Sequence, residues 1–317
     1  MTKVIVIGNI AYDELMVVNN RQIISKTTSP GGRAFNQAVT LARMNDSLQV
    51  YILSCIGLED GDELKFYLTH EKIKNEFLIS TNEFRTDYIH SENIDNNPEP
   101  IYYARVGASK SYSPSSLDAA KELFKTTSAL VATFAIPIET LEYAYDLIKT
   151  NTKCITVLRP SPVNYNGQLC NLDNTSVKSI FEKTDYLVVS QSDIGELLNK
   201  QDATYEDASS LVNFVRKGII VAINGLPRYY YGHDNSFYEI NHNEHPLIID
   251  TAGAMDVFTS VFVQRILDKK SLEDSIKYAT GGAYICANRF GTYGSLPTLA
   301  DIVGWESNGH QVELKKK

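Results

Sequence analysis

Short apolar runs recur along the chain with longer amphipathic segments between them, and this alternation constrains the fold most. Residues 4–7, 50–54, 129–133, 154–158, 186–189, 218–223 and 247–249 have the length and branched composition of buried strands. Helical periodicity occupies about 34–46, 60–70, 115–124, 137–149, 204–216, 254–268 and 271–288. Strands that alternate with helices in this way make a mainly parallel sheet covered on both faces, an α/β fold. A chain of 317 residues is long enough for one large unit or two domains, and for a full core without disulfide staples. No solenoid-length repeat interrupts the pattern.

Two regions break the alternation. Residues 11–31 are extended and mixed polar, and residues 85–106 alternate without a helix. The second holds Ile94-Asp95-Asn96-Asn97-Pro98, a turn between two strand-like pieces that predicts a hairpin. Paired, the two segments make a small sheet standing off the body and covering the carboxyl edge of the main sheet. Otherwise they are edge strands of one sheet. Their position beside Gly31-Gly32 favours the flap, giving a core of 1–10, 32–84 and 107–317 and a lid of 11–31 and 85–106.

Charge and cysteine usage exclude several functions. Thirty basic against 38 acidic residues give a net charge of −8, which argues against a nucleic-acid partner. Cys55, Cys154, Cys170 and Cys286 form no CxxC pair and no zinc spacing, so they read as reduced thiols. Residues 4–7 begin a strand with no charged leader before it, and no apolar run is long enough to span a bilayer. A soluble cytoplasmic protein without membrane partners is expected, with Lys315-Lys316-Lys317 a frayed tail. P-loop, dinucleotide-fingerprint and serine-elbow motifs are absent from the sequence.

Chemistry concentrates at two glycine turns. At Asp250-Thr251-Ala252-Gly253-Ala254-Met255-Asp256-Val257-Phe258 an apolar segment ends, small residues turn the chain, and a helix begins. Free N–H groups at such a start favour an anion, Gly253 admits a phosphate closely, and Asp256 stands ready to accept a proton. The alternative is structural: Asp250 or Thr251 caps the helix and Asp256 is an acid favoured by the dipole. In Pro30-Gly31-Gly32-Arg33-Ala34-Phe35-Asn36-Gln37, the glycines allow a hinge and Asn36 offers a donor and an acceptor suited to a vicinal diol. Asn36 is otherwise an ordinary exposed asparagine. Asp13 is either an acceptor for substrate hydroxyls or a solvated acid. His242-Asn243-Glu244-His245 lacks a third metal ligand and reads as a loop, and the acids of 59–63 sit where a helix begins. No metal-ligating residue is assigned.

Together these segments resemble the ribokinase-like (PfkB) family of carbohydrate and nucleoside kinases. Gly31-Gly32 with Asn36 and Ala42-Arg43-Met44 is similar to its first signature, and Asp250 to Phe258 to its second, D-T-x-G-A-G-D-x-F. Cys55-Ile56-Gly57-Leu58-Glu59-Asp60 resembles the family's glycine–aspartate turn, and Gly291 to Thr298 its G-x-x-x-S-L-P ending. The resemblance implies a Rossmann-like core with a β-sheet lid. It implies transfer of the ATP γ-phosphoryl to a primary hydroxyl of a small sugar or nucleoside, with Mg2+ on the ATP phosphates. Asp256 would be the base, and N–H groups of Gly253, Ala254, Met255 and Asp256 the anion hole. Asp13, Gly31, Gly32 and Asn36 would hold the acceptor, and Thr251 would lie on the nucleotide side.

The phosphate-donor end departs from the family. Met255 replaces the second glycine of G-A-G-D, costly if that position needs a positive φ. The N-x-x-E motif becomes Ser190-Gln191-Ser192-Asp193, and the nucleotide loop reads Ile223-Asn224-Gly225-Leu226-Pro227-Arg228. Arg159-Pro160 stands where relatives carry an acid or asparagine, so Arg159 or Arg228 is expected to neutralise phosphate charge. Asp193, Asn224, Gly225 and Arg159 are therefore candidate nucleotide contacts. The alternative function is a weak or inactive sugar- or nucleoside-binding relative. Tyr102-Tyr103 suggests either a base-stacking surface or packing of the flap, and an exposed lid edge suggests a homodimer pairing lid to lid.

Overall fold

The structure, a computed structural model, describes residues 1–94, 101–160, 170–242 and 247–317. From the N-terminus, β1 (Thr2–Ile7), β2 (Ala11–Asn19) and β3 (Gln22–Gly31) precede α1 (Arg33–Met44), β4 (Leu48–Leu53), β5 (Cys55–Gly57), α2 (Asp62–His70) and β6 (Ile79–Thr81). Next come β7 (Asp87–Ile94), β8 (Ile101–Arg105), α3 (Lys121–Thr126), β9 (Ala129–Thr133), α4 (Ile138–Ile148) and β10 (Ile155–Arg159). α5 (Thr175–Glu182), β11 (Tyr186–Ser190), α6 (Gln191–Leu197), α7 (Ala208–Leu211), β12 (Gly218–Ile223), β13 (Leu226–Gly232) and β14 (Phe237–His242) continue the chain. α8 (Ala254–Leu267), α9 (Leu272–Ala287), α10 (Leu299–Ser307) and β15 (Val312–Lys316) complete it.

The central sheet has the order β15-β14-β13-β12-β11-β10-β9-β1-β4. Its strands are parallel from β4 to β12 and antiparallel from β12 to β15. Alternate residues of β1 face opposite ways: Val4 and Val6 join a core under α1, α8 and α9, and Ile5 and Ile7 join one under α3, α4 and α5. Burial on both faces is why the parallel strands read as continuous apolar runs. β1 pairs with β4 on one side and β9 on the other, so the winding reverses there. Open α/β sheets take ligands in the crevice beyond the carboxyl ends of strands at such a switch point.

A second sheet, in the order β3-β2-β7-β8, stands beside that crevice. Its roots are pinned by two acids. Asp60 Oδ1 accepts from the Thr86 N–H (3.0 Å) and the Thr86 hydroxyl (2.6 Å). Buried Asp87 accepts from the N–H groups of Gly107 (2.8 Å) and Ser109 (3.2 Å) and from Asn9 Nδ2 (3.4 Å). Strand alternation puts Asp13 on one face and Glu14 on the other, where Glu14 accepts from Lys26 (2.8 Å) and meets His90 (2.9 Å). The expected turn at 95–98 lies outside the described residues.

Several sequence expectations need correction. Residues 247–249 form no strand; the N–H groups of Ile249 and Asp250 both donate to Ala287 O (2.8 and 3.1 Å), pinning the segment to the end of α9. Residues 204–216 form short turns rather than one helix. There the Ser209 and Ser210 hydroxyls bond back to the carbonyls of Glu206 (2.8 Å) and Asp207 (2.7 Å). The helix expected over 115–124 begins as a 3-10 stretch, Pro114–Ala120. Lys315 and Lys316 belong to β15, and the Lys317 N–H donates to Phe237 O (3.0 Å), so these residues are ordered by pairing rather than frayed. Lysines on the outer strand blunt its edge. All four cysteines are free and buried, and among the described residues no helix is long and apolar enough to cross a membrane.

Candidate active site

The first turns of α1 and α8 and the last residue of β10 converge at the carboxyl edge of the central sheet. Eleven successive residues of α8, Ala254 to Gln264, are buried, so this helix is held by packing on all sides. The Ser260 hydroxyl donates to Gln37 O (2.9 Å) and ties α8 to α1. That contact brings Asp256, 3 % exposed, against two amides of α1. Asn36 Nδ2 donates to Asp256 Oδ2 and Gln37 Nε2 to Asp256 Oδ1, each at 3.3 Å. Both amides are buried, and Asn36 Oδ1 and Gln37 Oε1 have no protein partner. Asn36 is thus no exposed surface residue.

Asp256 Oδ1 also accepts a short hydrogen bond from the Arg159 guanidinium. The Arg159 side chain is 18 % exposed, and Asp256 is the one acceptor shown for it among the described residues. Arg159, expected to wait for phosphate, is instead paired with the candidate base.

Asp13 reaches the site from β2. A Cβ at Gly31 would lie 2.0 Å from Asp13 Oδ2, so glycine is what lets this carboxyl lie against the neighbouring strand. Asp13 Oδ1 and Thr292 Oγ1 are both buried without a hydrogen-bond partner. Burial, partly offset by nearby Thr292 and reinforced by the charge of Asp256, pushes the Asp13 carboxyl up to about 7. Gly32, with φ 86°, precedes the first residue of α1.

Gly253 opens α8 at φ 78° with no side-chain cap. Neither Asp250 nor Thr251 caps the helix. Asp250 accepts from the N–H groups of Ala252 (2.9 Å) and Gly291 (3.0 Å), joining this loop to the one carrying Thr292, and burial raises its carboxyl pKa. Of the four N–H groups expected in the anion hole, that of Ala254 donates to Thr251 O (3.1 Å) and that of Asp256 to Gly253 O (3.0 Å). Those of Gly253 and Met255 have no acceptor among the described residues. The left-handed backbone falls on Gly253 and not on Met255, whose side chain is buried in the core. Methionine therefore carries no conformational penalty of the kind a positive φ would impose.

The donor-side candidates are occupied locally. Asp193 Oδ2 accepts from the Ser190 N–H (2.6 Å) and the Ser190 hydroxyl from the Asp193 N–H (3.2 Å), a capping box that starts α6. Asn224 and Gly225, with φ 50° and 71°, make the turn of the β12–β13 hairpin, and Thr251 packs directly against Gly225. A cavity of about 740 Å³ lies between this turn and α6, with Glu196 and Lys200 among its lining residues. Arg228 lies on β13. Among the described residues no group of three or more histidines, cysteines or acids could hold a metal. Asp62 and Glu63 occupy the first turn of α2, and 243–245 lie outside the described residues.

Sequence reasoning missed Gln37 and Thr292. Gln37 interrupts the apolar stripe of Ala34 and Leu41, a signal that was available. Thr292 lies inside the motif of residues 291–298, but nothing there marked its hydroxyl for the site. Tyr103 is exposed, with its ring 5.9 Å from His90 on the face turned away from Asp13, so it neither packs the sheet down nor overlooks the site. The Tyr102 side chain lies outside the described residues.

Comparison with known proteins bears on the fold and the family. The ribokinase of Schizosaccharomyces pombe is 24 % identical over 295 residues, covering 88 % of this chain and 86 % of that protein. The structure of ribokinase from Giardia lamblia superposes with a TM-score of 0.83 at 18 % identity, covering 97 % of this chain and all of the other. Ribokinase of Arabidopsis thaliana, solved with ribose and ATP, gives 0.79 at 16 % identity, covering 96 % and 98 %. The pfkB family carbohydrate kinase model matches residues 1–299, and the chain belongs to that family.

Proposed function

We propose that the protein transfers the γ-phosphoryl group of ATP to a primary hydroxyl of a small sugar or nucleoside. The observation that carries this reading is Asp256, held by two buried amides in the first turn of a glycine-started helix with uncommitted N–H groups. Asp256 takes the hydroxyl proton as the oxygen bonds to the γ-phosphorus, and the bond to the ADP oxygen breaks. The N–H groups of Gly253 and Met255 face the charge on the transferring phosphoryl. The unpartnered oxygens of Asp13, Asn36 and Thr292 accept or share hydrogen bonds with the acceptor's hydroxyls.

Among the described residues, those of 11–31 and 85–106 serve as the lid, and those of 1–10, 32–84 and 107–317 as the core. The cavity between α6 and the Asn224–Gly225 turn receives the nucleotide, with Thr251 beneath that turn. Mg2+ would come with the donor and supply positive charge against its phosphates. Asp193 is committed to its helix cap, and Glu196 is the carboxylate lining that cavity. Buried free thiols suit a reducing cytoplasm, and the exposed β3, with Ile23 and Ile24, suits a two-fold partner.

A second reading, a ligand-binding relative that transfers phosphate poorly, is favoured by the Arg159–Asp256 pair. The test is phosphorus NMR of protein with Mg·ATP and a panel of pentoses, hexoses and nucleosides, ribose first because the relatives are ribokinases. A new phosphomonoester that is lost with Asp256→Asn supports the kinase. Acceptor binding without product from any panel member supports the second reading.

A further inference from the structure

We infer that Arg159 exchanges partners during the reaction, leaving Asp256 for the transferring phosphoryl group; this rests on the kinase reading above. Three observations lead there. Arg159 ends β10 beside the start of α8, where the N–H groups of Gly253 and Met255 are uncommitted. One nitrogen of its guanidinium is spent on Asp256, and the remaining donors have no protein acceptor among the described residues. The side chain is mostly buried yet open enough to reach a ligand in the crevice.

Charge accounting supplies the reason for exchange. When Asp256 takes the acceptor's proton it becomes neutral, and a stationary Arg159 would be a partly buried cation without a counter-charge. The phosphoryl oxygens carry the negative charge that replaces it, and the guanidinium fork suits them. The same residue thus keeps the base paired while the site is empty and stabilises the phosphoryl when the donor is bound. Asn36 and Gln37 hold Asp256 in place as Arg159 leaves, since their amides contact both carboxylate oxygens.

The experiment is a double-mutant cycle read by calorimetric binding of a non-hydrolysable Mg·ATP analogue to the full chain. If Arg159 stays fixed, the effects of the two charges on a bound triphosphate add, and Asp256→Asn changes affinity equally with Arg159 or Arg159→Gln. Exchange makes Asp256→Asn tighten binding roughly ten-fold more when Arg159 is present, because the guanidinium no longer has to leave a partner. Arg159→Lys, which keeps the charge and loses the fork, serves as a second background should Arg159→Gln fail to fold. Additive effects in either folded background overturn the exchange, and product formation then leaves the kinase reading standing. Coupling without product sinks the kinase reading and retains Arg159 as a triphosphate ligand shared with Asp256.

Discussion

The two sides of the crevice, which the proposed function makes an acceptor side and a donor side, are built on opposite rules. On the acceptor side, buried polar atoms of Asp13, Asn36, Gln37 and Thr292 are left without protein partners. Orphan polar atoms are expensive to bury, so a fold that keeps several together holds them for something else. On the donor side the matching side chains are satisfied locally, Asp193 in a capping box and Asn224–Gly225 in a tight hairpin turn. On the proposed reading, a nucleotide there would have main-chain N–H groups, Arg159 and the lining of one cavity to bind. On that reading, the contrast separates residues that wait for a ligand from residues that shape the place where it goes.

The most severe break should come from the point where both sides meet. Asp256→Asn is expected to lower kcat by roughly 10²–10⁴ with little change in acceptor affinity. Steady-state kinetics on the best acceptor checks this, and unchanged turnover would remove Asp256 from the mechanism. Met255→Gly tests whether the donor side lost function to its methionine. Because Met255 is a buried helical residue, the variant should lose about 3 kcal/mol of stability and gain no turnover. Denaturant unfolding and kcat measured together decide it; a faster enzyme would show that the side chain obstructs the cradle.

Asp13→Asn sharpens the acceptor half. A lost charge-assisted contact should raise acceptor KM about 10- to 100-fold and leave nucleotide affinity alone. The pH dependence has a definite sign. Between the ordinary aspartate value of 3.8 and about 7, the folded protein holds a proton on Asp13 that the unfolded chain has lost. Stability therefore falls as pH rises through that window, and the full penalty is present above it. The Asn variant should melt higher than wild type at pH 8 and alike near pH 4. A melting difference independent of pH would show that Asp13 is not a buried, elevated carboxyl. The smallest effect belongs to Asp193→Ala, which should cost about 1 kcal/mol through the lost cap and leave kcat unchanged. A large fall in kcat would return Asp193 to the chemistry.

Much of the scaffold was legible because it is local. Apolar runs and helical stripes placed most strands and helices, and the two extended stretches are strands of the second sheet. The β12–β13 hairpin was legible too, since Asn-Gly between apolar runs is a turn signal, but family likeness drew attention to phosphate instead. β15 was hidden because a lysine-rich end looks unstructured until a neighbour offers its edge. Asp256 and Asn36 were visible from their motifs. The Arg159–Asp256 pair was not, because 97 residues separate the partners and only the packed sheet and helix bring them together.

The pinned roots of the second sheet make it a lever with its grip close to the pivot. Ala11 pairs with both Gly31 and Asp87 at the anchored end, Asp13 lies two residues out along β2, and Asn19 eight. At the rise of an extended strand these are about 7 Å and 27 Å, so any swing about the roots carries the tip roughly four times as far as Asp13. On the proposed reading, an opening wide enough to admit a ligand at the tip would leave the Asp13 carboxyl nearly in register. Recognition and access would then be geared differently by the same sheet.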